Sequence, residues 1–144
     1  NDLAPEYLEL EITERLLLDD SIQTYEILNK LDEMGVKLSV DDFGTGYSAL
    51  SYLKSYPFNS LKIDRSFVKD VYAESEDAAL VTAIITMAHS LGLKVIGEGI
   101  EETAQLNFLQ NKGCDYVQGF LFSKPIPEAD FGRWIEDNQK AHAL

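Results

Sequence analysis

The stretch of sequence that decides the fold is Lys-Leu-Ser-Val-Asp-Asp-Phe-Gly-Thr-Gly-Tyr-Ser, at residues 37–48. Its first four residues form a short, Val-containing run that is typical of a buried parallel strand, and Gly44 and Gly46 indicate a turn into a helix. Asp41 and Asp42 stand where the run meets the glycines. Adjacent carboxylates repel each other, and burial raises their pKa values, so a positive group must compensate them. A divalent cation commonly does so. The stretch therefore predicts a strand, a turn and a helix with an acidic site at the end of the strand.

Apolar periodicity on both sides extends this unit to five strands that alternate with five helices. The predicted strands are 7–12, 37–40, 60–63, 94–96 and 116–117. The predicted helices run from about Ser21 to Gly35 and over 48–56, 76–91 and 103–111, and a last one follows Pro127. Parallel strands need crossover connections, so the pattern predicts a parallel α/β protein. Two closures stay open, an open doubly wound sheet and part of a (β/α)8 barrel, since a complete barrel takes about 250 residues.

Length and charge narrow the function classes. A chain of 144 residues can build one compact domain with a core. The net charge of −13 argues against binding DNA, RNA or an anionic membrane through a broad basic surface. It permits a small phosphorylated ligand that metal ions or a local basic residue join to the protein.

The termini and the single cysteine predict the context of the chain. No apolar run approaches the roughly 20 residues of a membrane span, and no signal-peptide pattern is present. The chain begins at Asn1 rather than at a methionine, which predicts that it was cut from a longer polypeptide. Cys114 cannot form an internal disulfide; it is predicted to be a small buried residue in a reducing compartment.

Every predicted strand carries polar side chains at its carboxyl end or directly after it. In parallel sheets and barrels alike, functional sites gather at that end. In strand order, the residues are Glu11 and Glu14, Asp41 and Asp42, Lys62 and Asp64, Glu98 and Glu101, and Gln118. The acidic and amide donors are oxygen atoms, which suit Mg²⁺ or Mn²⁺ better than zinc. His89 and His142 lie on segments away from this rim and are not predicted to be ligands.

Two other readings of the same residues are weaker. The segment Gly-Thr-Gly-Tyr-Ser-Ala at 44–49 matches a dinucleotide-binding pattern, with Asp64 near the position of a ribose-binding acid. However, Asp41 and Asp42 directly before the glycines would repel a pyrophosphate. A phospho-acceptor receiver domain also combines five βα units with an acidic pair and a lysine. Its acidic pair lies on the first strand and its lysine on the last, whereas Lys62 here follows on the strand next to the pair.

The run from Leu8 to Pro127 resembles the EAL domain, the bacterial cyclic di-GMP phosphodiesterase family. Five segments in order carry the resemblance: LELEITE at 8–14, DDFGTGYS at 41–48, LKIDRSFV at 61–68, GEGIE at 97–101 and VQGF at 117–120. The resemblance implies a modified (β/α)8 barrel, of which residues 1–144 would be the C-terminal part, about five βα units of one domain. The Glu-Ala-Leu strand and an asparagine-bearing strand of the family do not occur in this sequence.

The resemblance also implies a reaction, the hydrolysis of cyclic di-GMP to linear pGpG with two Mg²⁺ or Mn²⁺ ions. It implies metal ligands at Glu11, Asp41, Asp42 and Glu98, and catalytic roles for Lys62, Glu98 and Gln118. It assigns substrate contact or loop support to Glu14, Asp64 and Glu101, with Glu14 anchoring the loop 43–48, which couples metal binding to dimerisation in the family.

Several expectations follow for the parent protein. We expect cyclic di-GMP as ligand, a homodimer, fused sensory or GGDEF-type domains, no DNA or RNA polymer as partner, and a location in the cytoplasm or on the cytoplasmic side of a membrane-anchored parent. We expect the 144-residue chain alone to be inactive, either as a truncated piece or within a rearranged assembly. The alternative function is a cyclic di-GMP receptor that signals without turnover.

Overall fold

Five parallel strands form one sheet in the computed structural model, which describes residues 3–14, 16, 22–44, 50–71 and 75–141. The strands are β1 (Glu9–Thr13), β2 (Lys37–Phe43), β3 (Ser60–Ile63), β4 (Lys94–Gly97) and β5 (Tyr116–Val117). The helices are α1 (Ile22–Glu33), α2 (Leu50–Ser55), α3 (Arg65–Lys69), α4 (Glu76–Ser90), α5 (Thr103–Asn111) and α6 (Glu128–Ala141). A 3₁₀ turn at Pro5–Tyr7 precedes β1.

The order of the strands decides between the two closures. Each strand pairs with its neighbour in sequence, in the order β1-β2-β3-β4-β5, and every pair is parallel. A doubly wound sheet reverses direction at a switch point. A (β/α)8 barrel adds its strands in one direction. The prediction of five units of such a barrel is therefore confirmed, and the doubly wound alternative is wrong.

The two faces of the sheet differ in chemistry. One face carries buried apolar side chains at alternate strand positions: Leu38, Val40, Leu61, Ile63 and Val95. They pack against apolar residues of the helices, including Val81, Ile84, Ile85 and Leu109. Burial of this kind contributes roughly 25 cal/mol per Å². The intervening positions carry polar side chains: Glu9, Glu11, Ser39, Asp41, Ser60 and Lys62. The helices and the core thus lie on one face, and the polar side chains point to the other.

Several predicted boundaries were wrong for local reasons. The first strand begins at Glu9 rather than residue 7, because Pro5–Tyr7 form the 3₁₀ turn. The second strand continues through both aspartates to Phe43. The helix α3 was not predicted; its first turn is capped by Asp64, which accepts a hydrogen bond from the Ser66 amide. The predicted helix starts at Ser21 and Ser48 fall outside the described residues.

Other sequence expectations concern single features. Cys114 is only partly buried, and its thiol contacts the carbonyl oxygens of Tyr116 at 3.2 Å and Val95 at 3.5 Å. This partial burial raises the pKa of the thiol. No helix in the described part of the chain combines the length and apolar character of a membrane span.

Candidate metal-binding and catalytic site

A bulge in β2 brings Asp41 and Asp42 to the same side of the sheet. Side chains of successive strand residues normally point to opposite faces. Here three steps along β2, from Val40 to Phe43, match two steps along β3, from Leu61 to Ile63. The extra residue places Asp42 in the left-handed region, at φ 53°, a conformation that aspartate tolerates better than most residues. Both carboxylates therefore reach the rim, while Phe43 returns to the core.

Asp41, Asp42 and Glu98 form a group of carboxylates at this rim. Each offers one oxygen atom that lies within 4.8 Å of the corresponding oxygens of the other two. They come from two strands, because Glu98 directly follows β4. The Oδ1 atom of Asp41 is buried and accepts no hydrogen bond from the described residues, although it forms an ion pair with Nζ of Lys62 at 3.3 Å. A buried carboxylate oxygen that no hydrogen bond satisfies is unfavourable. This oxygen-only donor set fits a hard divalent cation.

Lys62 lies among the carboxylates at the floor of the site. Its side chain is only 5% exposed, and its Nζ atom lies 2.5 Å from Glu11, 2.6 Å from Glu98 and 3.3 Å from Asp41. The first two contacts are hydrogen-bonded ion pairs. The parity of the strands explains the cluster, because Glu11, Asp41 and Lys62 all stand on the polar face of the sheet.

Electrostatics keep the lysine charged and disfavour charge on two of the acids. Burial alone would lower the pKa of Lys62, but the bonds to Glu11 and Glu98 and the nearby carboxylates raise it well above its ordinary value. Burial raises the pKa of Glu98, and Lys62 partly opposes that rise. Desolvation, followed by Asp41 and Asp64, raises the pKa of Asp42. These contacts favour the protonated, cationic form of Lys62 over the neutral form that could act as a base.

Gln118 completes the polar group at the end of β5. Its Nε2 atom donates a hydrogen bond of 2.7 Å to Oε1 of Glu98, the same oxygen that Lys62 approaches. One carboxylate oxygen of Glu98 thus receives two donors, which fixes its orientation.

The three residues predicted for substrate contact or loop support lie around this group. Oε2 of Glu14, which is buried, accepts a hydrogen bond of 3.2 Å from the Gly44 amide, at the start of the predicted loop; residues 45–48 of that loop lie outside the described residues. Asp64 caps α3. Partial burial would raise the pKa of Asp64, but hydrogen bonding with Ser66 lowers it. Glu101 is exposed and lines a cleft beyond Gln118.

That cleft was missed by sequence reasoning. It has a volume of about 490 Å³ and is lined by Gln118 and Glu101, the cations Arg65 and Lys124, and the aromatic rings of Phe120, Phe131 and Trp134. Phe131 and Trp134 stack with ring centroids 6.2 Å apart. No short motif signals such a cleft, because its walls come from α3, the segment after β5 and α6.

His89 lies away from the site, as predicted. Its Nε2 atom is 2.8 Å from Asp115, and the same carboxylate also binds Lys94 at 2.6 Å and the Val95 amide at 2.9 Å. Burial alone would raise the pKa of Asp115, but the hydrogen bonds with Lys94 and His89 lower it to about 2. This group ties α4 to the start of β4 and contains no residue of the rim. His142 falls outside the described residues.

Comparison with known proteins places this geometry in context. A family model described as the EAL domain matches residues 1–125. The chain is 51% identical over 127 residues to the cyclic di-GMP phosphodiesterase NbdA of Pseudomonas aeruginosa, covering 88% of this chain and 16% of that protein. It superimposes on the PaMucR phosphodiesterase in complex with c-di-GMP with a TM-score of 0.84 and 46% identity, covering 90% of this chain and 52% of that one.

A third match contains a metal. The chain superimposes on BlrP1 of Klebsiella pneumoniae, in a manganese and c-di-GMP complex, with a TM-score of 0.79 and 35% identity, covering 85% of this chain and 31% of that one. The chain thus spans about a sixth of the length of the curated relative and a third to a half of these solved chains.

Proposed function

The chain belongs to the EAL domain family, and from this premise we propose that the protein of which it is part hydrolyses cyclic di-GMP to linear pGpG. The observation that carries the proposal is the convergence of Asp41, Asp42 and Glu98 within 4.8 Å, beside a buried lysine. The cyclic di-GMP named for NbdA and for the PaMucR and BlrP1 complexes identifies the substrate class.

The reaction adds one water molecule across a phosphodiester bond. The water oxygen bonds to phosphorus, the bond from phosphorus to the leaving ribose oxygen breaks, and that oxygen receives a proton. Glu11, Asp41, Asp42 and Glu98 are the residues that would hold divalent cations, which, when bound, activate water and neutralise charge on the phosphate.

The protein's own residues supply orientation and fixed charge. Lys62 stays protonated, and its ammonium stabilises the negative charge that develops on the attacked phosphate. Gln118 and Lys62 hold one oxygen of Glu98 in place. The second oxygen of Glu98 then remains to bind a divalent cation or to accept a proton from a water molecule.

The cleft beyond Gln118 suits a nucleotide. Aromatic faces such as Phe120 and Trp134 stack on bases. Arg65 and Lys124 provide positive charge in a strongly acidic chain. A cyclic dinucleotide would thus place one phosphodiester at the carboxylates and extend its remaining half over the cleft.

The finer assignments are part of the proposal. We propose Mg²⁺ or Mn²⁺, two per site, in line with the oxygen donors and the manganese of BlrP1. We propose a homodimer. We also propose fusion to a GGDEF-type or sensory domain, and the bifunctional diguanylate cyclase/cyclic di-GMP phosphodiesterase MucR, a relative of this chain, supports the fusion. We propose a cytoplasmic site of action, which suits a chain with a single cysteine.

The test uses the full-length parent protein and the variant Asp41→Asn. This change keeps the shape of the side chain but removes the charge of a central oxygen ligand. We expect turnover of cyclic di-GMP with Mn²⁺, measured by chromatography of pGpG, to fall about 100-fold or more, since even indirect loss of ligand support costs 10–100-fold. Nucleotide binding should partly survive.

Asp32→Asn, an exposed position on α1, is the matched control and should leave turnover unchanged. Wild-type turnover in the Asp41→Asn protein would contradict the assignment of the site. Tight nucleotide binding by the unmodified protein without any hydrolysis would instead establish the receptor alternative.

A further inference from the structure

The side chain of Gln105 joins the segment after β4 to the helix α3. It lies in the first turn of α5 and is only 5% exposed. Its Oε1 atom accepts hydrogen bonds from the amides of Glu101 at 2.8 Å and Glu102 at 3.0 Å. Its Nε2 atom donates to the carbonyl oxygen of Lys69 at 3.1 Å. Every polar atom of this buried amide therefore has a partner.

Only one of these three bonds is expected from helix capping. A glutamine at the third helical position commonly accepts from the amide of the N-cap residue, here Glu102. The bond from Glu101 reaches outside the helix, and the bond to Lys69 reaches a different βα unit. Lys69 ends α3, which follows the strand of Lys62. The side chain thus connects the segment after β4 with the helix after β3.

The same two segments also pack closely against each other at Gly99 and Arg65. Gly99 adopts a positive φ of 67°, and a Cβ atom there would lie 2.5 Å from the Cβ atom of Arg65. The segment from Glu98 to Glu102 therefore packs against the first residue of α3 through Gly99 and is bonded to the last through Gln105.

We propose that Gln105 is a positioning residue, which fixes Glu98 and Glu101 relative to Lys62 by holding the segment 98–102 against α3. This inference rests on the proposed function for its catalytic meaning. Glu98 sits three residues before the amide that Gln105 binds, and its oxygen is shared by Lys62 and Gln118. A displacement of about 1 Å at a reacting group can cost about 100-fold in rate.

The experiment compares three variants in the full-length parent protein. Gln105→Leu removes all three hydrogen bonds at nearly constant volume. Gln105→Glu keeps the acceptor for both amides and loses the bond to Lys69. Gln110→Leu changes an exposed glutamine of the same helix and is the control.

Two readouts are needed. The first is amide hydrogen exchange, in which we expect faster exchange over residues 98–105 in Gln105→Leu, a smaller increase in Gln105→Glu, and no change in Gln110→Leu. The second is turnover as a function of Mn²⁺ concentration. We expect kcat to fall 10- to 100-fold in Gln105→Leu and half-maximal activity to need more Mn²⁺, with Gln105→Glu in between.

The outcomes separate the two proposals. Wild-type kcat and Mn²⁺ requirement in Gln105→Leu, with only a lower melting temperature, would reduce Gln105 to a stabilising residue and overturn the inference. Should the unmodified protein not hydrolyse cyclic di-GMP, the proposed function fails, and exchange together with Mn²⁺ titration calorimetry still decides the role of Gln105. Unchanged exchange over 98–102 in Gln105→Leu, or in Gln105→Glu if the leucine variant does not fold, would refute the positioning role directly.

Discussion

Replacing Lys62 by methionine removes the one cation that the described residues place among the acids of the site. Its Nζ atom lies within 3.3 Å of Glu11, Asp41 and Glu98, and the side chain is buried. Methionine has a similar length and no charge. The three carboxylates would then face one another at short range with no compensation.

The cost can be worked out from the contacts. Removing one partner of a buried ion pair typically destabilises by about 3–5 kcal/mol. Glu11 is 51% exposed, which screens its share, while Glu98 is 15% exposed. We therefore expect the complete, metal-free domain to lose about 2–4 kcal/mol of unfolding free energy at pH 8.

The loss should depend on pH in a defined direction. Burial already raises the pKa of Glu98, and removal of Lys62 raises it further. A carboxyl whose pKa is higher in the folded than in the unfolded state binds more protons when folded, so stability grows as the pH falls. The difference between Lys62→Met and the wild type should thus shrink between pH 8 and pH 5.5. Added Mn²⁺ should shrink it at pH 8 as well.

Urea unfolding of the complete domain, in chelator and then in Mn²⁺, measures these differences. Lys30→Met, at an exposed position on α1, is the control for loss of one positive charge. Equal urea midpoints for Lys62→Met and the wild type at pH 8 without metal, or a difference that does not change with pH, would refute this account of the site.

Two further predictions concern support away from the acids. Asp115→Asn should lower the free energy of unfolding by about 1 kcal/mol at pH 7, which is less than the lowered pKa of Asp115 alone would give, because Lys94 is exposed. The contribution of Asp115 is present above about pH 4 and should fade as the pH falls toward 2. Urea midpoints at pH 7 and pH 3 would detect this change. A constant difference between those pH values would contradict the ion-pair explanation. Gly119→Ala should destabilise the domain by about 2 kcal/mol or more, because the new Cβ atom would lie 2.1 Å from the Ile100 carbonyl oxygen. Gly132→Ala on α6 is the control: its Cβ atom would have no neighbour within 4 Å, so thermal unfolding should show no change or a higher stability. Equal melting temperatures for the two alanine variants would show that the backbone at Gly119 has room to move.

The sequence predicted the order and type of the elements well, because apolar periodicity depends on local residues. The strand Ser60–Ile63 and the helix α5 have the predicted bounds. The resemblance and the rule that sites lie at strand ends together indicated that Asp41, Glu98 and Lys62 would meet, and the structure brings them together. Their catalytic roles stay predictions.

What the sequence could not predict depends on contacts between distant residues. The apolar run predicted a strand that ends before the acidic pair. Pairing with β3 and the bulge extend the strand through both aspartates. The five-residue α3 is too short for a periodic signal. The bond from Gln105 to Lys69 spans 36 residues, and the aromatic cleft joins three elements. Neither leaves a pattern in a single sequence.

Side chains that alternate along the strands divide the domain into two sets of residues. Side chains of the candidate site occupy one parity, and side chains that pack against the helices occupy the other. A point substitution at a ligand position therefore leaves the architecture intact, and a descendant that has lost its chemistry can persist as a folded, regulable module. Insertion or loss of a single residue within β2 would turn its side chains to the opposite faces of the sheet, and both the candidate site and the packing of the helices would be lost.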